Sequence, residues 1–149
     1  MLSNTVITTA AINRALSRAA SAIASLPAPP KIYPVIRSMG PAIYALDSAA
    51  LAANPLWYLL DYNGPLSPVT TSNRTTVFAK WGYLMATAPS GSQLDEFPYA
   101  STAQGGVGAV AAPVPWLQNA VQGGLLSAFY RYSLKSVPGA PFLVVPIPL

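Results

Sequence analysis

Asp95 and Glu96 are adjacent, and no other residue from Trp81 to Tyr130 carries a charge. On an extended strand their side chains would leave opposite faces. At the start of a helix they would diverge by about 100°. In both cases one acid can enter a site while the other supports it. A carboxylate pair in such apolar surroundings calls for a cation, a metal or hydrogen bonds to offset its desolvation. Oxygen ligands from Asp95 and Glu96, joined by amide oxygens, suit Mg2+ or Mn2+. A solvated acidic turn, or pairing with Arg131 or Lys135, would satisfy the same two residues. Pro98 and its aromatic neighbours would stiffen the turn that follows, and Gly105, Gly106 and Gly108 allow close backbone approach.

A second group lies downstream, from Val114 to Arg131. Gln118, Asn119 and Gln122 offer amide oxygens and donors, Ser127 a hydroxyl, and Arg131 a planar fork suited to phosphate. Gly123-Gly124 reads as a turn or a point of close approach, and Leu125 to Tyr130 as the beginning of a helix or strand. Taken alone, the group reads first as a polar loop ahead of a packed segment.

Several chemistries are excluded by composition. The 149 residues contain no histidine and no cysteine. A Ser-His-Asp triad, an HNH-type nuclease site, a histidine or thiolate zinc site, a cysteine nucleophile and disulfides are therefore all unavailable. Only 8% of the residues are charged and 52% are hydrophobic, which is too apolar for a classical disordered chain. Eight basic residues face four acids, giving a net charge of +4. That balance permits a polyanionic partner without establishing one, because the basic residues are scattered.

The elements that would carry these groups divide into two halves. Residues 3–26 read as a helix, with Ile12, Leu16, Ala19, Ile23 and Leu26 in one apolar stripe and Arg14 and Arg18 on another face. Pro27, Pro29 and Pro30 end it. Residues 41–53 suggest a second helix, with Ile43, Leu46, Ala50 and Leu51 on one side. Asn54-Pro55 would open a short helical turn, and Asp61 to Pro65 is a turn cluster. Thr75 to Thr87, rich in β-branched and aromatic residues, reads as a strand or hairpin arm. Phe142 to Ile147 reads as a closing strand, which Pro146 would confine to an edge or a terminus. The expected class is α+β: N-terminal helices packed on a small, mostly antiparallel sheet. Residues 1–70, Ala- and Pro-rich, would form a helical N-terminal segment, and residues 71–149 the chemically equipped domain.

The segment Asp95-Glu96-Phe97-Pro98-Tyr99-Ala100-Ser101-Thr102, followed by Gln104-Gly105-Gly106, resembles the acidic-pair signature of the NucA/NucB-type deoxyribonucleases. Val114-Pro115, Asn119, Gln122-Gly123-Gly124 and Phe129-Tyr130-Arg131 resemble that family's downstream segment in order and spacing, and Pro141 to Val145 its terminal strand. The resemblance spans residues 90–149. It implies a small, metal-dependent endonuclease, secreted or toxin-associated, that cuts DNA with little sequence preference. Carried over, Asp95 and Glu96 would bind Mg2+ or Mn2+ or activate water, with Gln104 as a further metal ligand. Asn119 would sit at the catalytic centre, Gln122 and Ser127 would touch substrate, and Arg131 would act on phosphate. The chain departs from the signature at three points: Leu94 replaces a cysteine, Gln104 the glutamate before Gly-Gly, and Gln118 the acid before Asn119. Each glutamine keeps an oxygen and loses a charge.

These departures leave a second reading open, a catalytically degenerate domain that serves as a binding or structural module for a protein partner such as an immunity protein or a larger toxin scaffold. A third reading, association of residues 3–26 with a membrane surface, is weaker because the basic face is thin. No apolar run is long enough for a transmembrane span. Ala19 to Leu26 makes a poor signal peptide, so a secreted or delivered location is suggested by the resemblance alone.

Overall fold

The structure, a computed structural model, describes residues 2–64 and 67–149. Helix α1 (Asn4–Arg18) starts at Ser3, whose hydroxyl accepts from the Val6 N–H, and gives way at Ala19 to the short α2 (Ala20–Ile23). It buries Ala11, Ala15 and Ala19, while Ile12 and Ile23 are partly covered and Leu16 is exposed. Ala11 and Ala15 thus lie one residue before the expected Ile12 and Leu16, and the packed row meets the expected stripe at Ala19. Alanines let the helix backbone come close to the sheet, and the larger side chains flank the contact.

Strand β1 (Lys31–Ile36) follows the prolines, and α3 (Pro41–Ala53) begins with proline in its first turn. A 3-10 turn (Pro55–Tyr58) leads into the three-residue strand β2 (Leu59–Asp61), so the helical turn expected after Asn54 is present and short. Pro65, the end of the expected turn cluster, lies outside the described residues.

Thr75 to Thr87 is helical, contrary to the expected strand. Helix α4 spans Pro68–Trp81 and a 3-10 segment runs from Gly82 to Thr87. The Ser67 hydroxyl accepts from the Val69 N–H, and Pro68 fixes the first helical φ. This start overrides the β-propensity of the threonines, which is context-dependent. Strands β3 (Ser92–Phe97) and β4 (Val110–Pro115) then form an antiparallel ribbon pairing Asp95 with Ala112 and Glu96 with Ala111. Helix α4 packs on this ribbon through Val77 against Ala109 and Ala111, and the Trp81 indole N–H donates to the Ala109 carbonyl at 3.0 Å.

Helix α5 (Trp116–Tyr132) resolves Leu125–Tyr130 as helix. It also places Gly123 and Gly124 inside the helix, not in a turn, with open space where their β-carbons would be. The closing strand β5 (Pro141–Ile147) is central, not an edge: the sheet order is β1-β5-β2, parallel to β1 and antiparallel to β2. β2 reaches only from Pro141 to Leu143, so Pro146 has a neighbour on the β1 side alone. Proline is tolerated there for the reason that confines it to edges.

The fold is α+β, with two small sheets in which only the β1–β5 pair is parallel. Phe142, Leu143, Val144 and Val145 of β5 are fully buried between Tyr33 and Val35 of β1, Leu60 of β2 and the aromatic side chains of Tyr99 and Tyr130. Strands from the first seventy residues flank a strand from the last ten, so one sheet crosses the boundary expected at residue 70. No described helix is long and apolar enough to cross a membrane.

Candidate active site

Asp95 and Glu96 both line an open cleft of about 800 Å3 walled by β3, the Tyr99–Ser101 segment, α4 and α5. The ribbon holds the acids on one side. The turn after them is fixed by Asn73 of α4, whose amide donates to the carbonyls of Ala100 (2.9 Å) and Thr102 (3.2 Å). Gly105 and Gly106 make this packing achievable: a β-carbon on Gly105 would lie 2.6 Å from the Tyr99 carbonyl oxygen. At Gly106, with φ +89°, one would lie 2.5 Å from the Asn73 Oδ1.

Asp95 is 6% exposed, and its Oδ2 is buried without a hydrogen-bond partner. Burial, reinforced by the Glu96 charge, pushes its carboxyl up to about 7. Burial also raises Glu96, while the charge of Arg74 and hydrogen bonding from the Ala100 backbone pull it back. Neither Arg131 nor Lys135 lines this cleft; Arg74, on α4, is the arginine that does.

Two site groups were not singled out from the sequence. Asp47 of α3 is fully buried; the Tyr99 hydroxyl donates to its Oδ2 at 2.8 Å, the Gln122 amide lies at 3.5 Å, and its Oδ1 has no partner. Burial first, and the Asp95 charge second, hold its carboxyl well above the usual range. Its position on the apolar side of α3 with Ile43, Ala50 and Leu51 was the available sign of burial. Arg74 was hidden by the strand assignment of the following residues; the Ser67-Pro68 start would have put it on a helix.

The residues expected at the site separate into three groups. Asn119 and Gln122 line the cleft with the acids, and Asn119 donates to the Gln93 Oε1 at 2.8 Å. Gln104 does not line it. Its Nε2 donates to the Asp61 Oδ2 at 2.7 Å and its Oε1 accepts from the Asp61 N–H at 3.0 Å, tying the loop to β2. Both ends of this amide are therefore engaged away from the acidic pair, which corrects its expected place among the metal ligands. Gln118 likewise accepts from the Ala42 N–H at 2.9 Å, satisfying a first-turn donor of α3. Ser127 and Arg131 lie outside the cleft, in an adjoining cavity of about 540 Å3.

A desolvated carboxylate pair beside an arginine, open to solvent along a cleft of an α+β domain, suits proteins that handle phosphate esters. Residues 73–145 match the family model described as deoxyribonuclease NucA/NucB. The chain is thus similar to that family from within α4 to within β5, further upstream than the signature residues alone reach. No curated protein matches the chain.

Proposed function

We propose that the protein is a divalent-metal-dependent endonuclease that hydrolyses DNA phosphodiester bonds with little sequence preference. The observation that carries this reading is the buried, unpartnered Oδ2 of Asp95 in a cleft shared with Glu96 and Arg74. A carboxylate oxygen desolvated without a donor is unfavourable unless a cation completes it. The donor set fits a hard ion taken up with water and substrate phosphate as its other ligands. Asp95 and Glu96 would hold that ion. When bound, it would supply Lewis acidity toward the phosphate and lower the pKa of the attacking water.

The chain's own groups supply the rest. Arg74 faces the acids and would balance the charge that develops on the phosphate, the part expected of Arg131. Asn119 and Gln122 offer polar contacts on the α5 wall. Asp47, whose carboxyl burial pushes up and to which the Tyr99 hydroxyl donates, would brace the wall behind Asp95. The preference for DNA rests on the family match. A secreted or toxin-associated setting belongs to the same reading and rests on the resemblance alone.

The test is nicking of supercoiled plasmid in Mg2+, Mn2+ or EDTA. Wild type should nick with either ion and not in EDTA, and Asp95→Asn and Glu96→Gln should each abolish nicking while the fold remains. Full activity in both variants would refute the assignment. A binding module without catalysis is favoured by two observations: Gln104 and Gln118 serve structural hydrogen bonds, and among the described residues no three acidic side chains converge. Inert protein that still binds plasmid in EDTA would support that module.

A further inference from the structure

We propose that the groove continues beyond the acidic centre into the adjoining cavity as a phosphate subsite, in which Arg131 and Ser127 hold the nucleic-acid backbone on one flank of the scissile bond. This deepens the phosphodiesterase reading and rests on it for the position of the scissile bond. The two cavities share Arg74, Ser101, Gly123 and Leu126 in their linings, so they form one groove with two lobes. Helix α5 runs beside both. Asn119, Gly123, Ser127 and Arg131 recur every four residues and so form one row on its surface.

That row has a chemical order. Asn119 stands at the acidic lobe, Gly123 at the junction, and Ser127 and Arg131 in the second lobe. At Gly123 a β-carbon would meet nothing within 4 Å, so the passage between the lobes is open. Among the described residues, none that lines the second lobe is acidic. Its floor is fixed by the stacking of Tyr62 on Tyr130, with centroids 4.1 Å apart, and by the 2.7 Å hydrogen bond between the Tyr130 and Ser101 hydroxyls. A firm, acid-free trough with an arginine and hydroxyls repels no phosphate and offers it donors. Twelve residues of helix span about 18 Å. This equals the rise of about five nucleotides along one B-form strand.

The experiment measures binding of a fluorescein-labelled duplex in EDTA, where nothing is cleaved, over a range of salt concentrations. Arg131→Ala should weaken binding three- to tenfold and lower the slope of log K against log salt by about one, the signature of one lost phosphate contact. Arg131→Lys should restore most of the slope. Arg14→Ala, on α1 away from the groove, should keep the wild-type slope. In wild type, affinity should step upward as the duplex is lengthened past about five nucleotides on one flank, and Arg131→Ala should remove the step. An unchanged slope in Arg131→Ala, or equal losses in Arg131→Ala and Arg14→Ala, would overturn the subsite. Arg131-dependent binding by a protein that nicks no plasmid with Mg2+ or Mn2+ would refute hydrolysis and leave the subsite standing. Nicking by wild type with a full slope in Arg131→Ala would do the reverse, and a wild type that binds no duplex in EDTA at any salt would overturn the subsite whether or not it nicks.

Discussion

At the scale of the residue, Asp95 sets the energetics of the site. An aspartate in an unfolded chain titrates near 4, and burial in the fold raises Asp95 to about 7. Ionisation therefore disfavours the folded state. The stability this group contributes is fully present below about pH 4 and is lost as pH rises through about 7. A cation that binds the ionised form reverses the trend by mass action. The metal-free protein should lose melting temperature between about pH 4 and 7, and Asp95→Asn should flatten that decline. Mg2+ or Mn2+ should raise the wild-type melting temperature more at pH 8 than at pH 5, and leave Asp95→Asn unmoved. An equal metal shift at both pH values would mean that the ion binds elsewhere.

The acidic pair was legible in the sequence because it stood alone in a charge-free stretch. Its surroundings were less so. Gln104 looks like a ligand until the fold brings Asp61 to it across forty-three positions of chain. Asp47 meets Tyr99 across fifty-two. Spacing along one element indicates which face a residue takes, but contacts between distant elements depend on how those elements pack.

At the scale of the element, the two helices that wall the cleft show where local rules prevailed and where they misled. Ser67 and Pro68 start α4 despite the β-branched residues that follow. In α5, a glycine pair that resembles a turn is carried inside a helix whose flanking Leu126 and Tyr130 are anchored in the core. Helix interiors disfavour glycine by about 1 kcal/mol relative to alanine. Gly124 has open space at its β-carbon position and lines neither lobe of the groove. Gly124→Ala should therefore stabilise the protein by up to about 1 kcal/mol in chemical denaturation and leave nicking unchanged. A loss of stability would show that the helix is strained there. Gly123 differs in position, since it lines both lobes of the groove.

At the scale of the whole molecule, β5 decides the architecture. It is the most buried strand, and its two neighbours come from residues 31–36 and 59–61. The α+β class and the closing strand were legible from apolar runs; the parallel β1–β5 pairing was not, because it joins the two ends of the chain. Residues 71–149 expressed alone would leave both edges of β5 unpaired and its apolar faces uncovered, so they should fail to fold cooperatively, as a broad thermal transition would show. A sharp, native-like transition in that fragment would contradict the shared core. The same arrangement brings Asp47, from the first half, behind the acids of the second.

The central claim, that Asp95 and Glu96 gather a divalent cation beside a phosphodiester, is tested most directly by plasmid nicking with wild type and Asp95→Asn side by side in Mg2+, Mn2+ and EDTA. Conversion of supercoiled to open-circular DNA by wild type with either ion, absent in EDTA and absent from folded Asp95→Asn, is the predicted result. Equal nicking by the two proteins, or nicking that persists undiminished in EDTA, would contradict it.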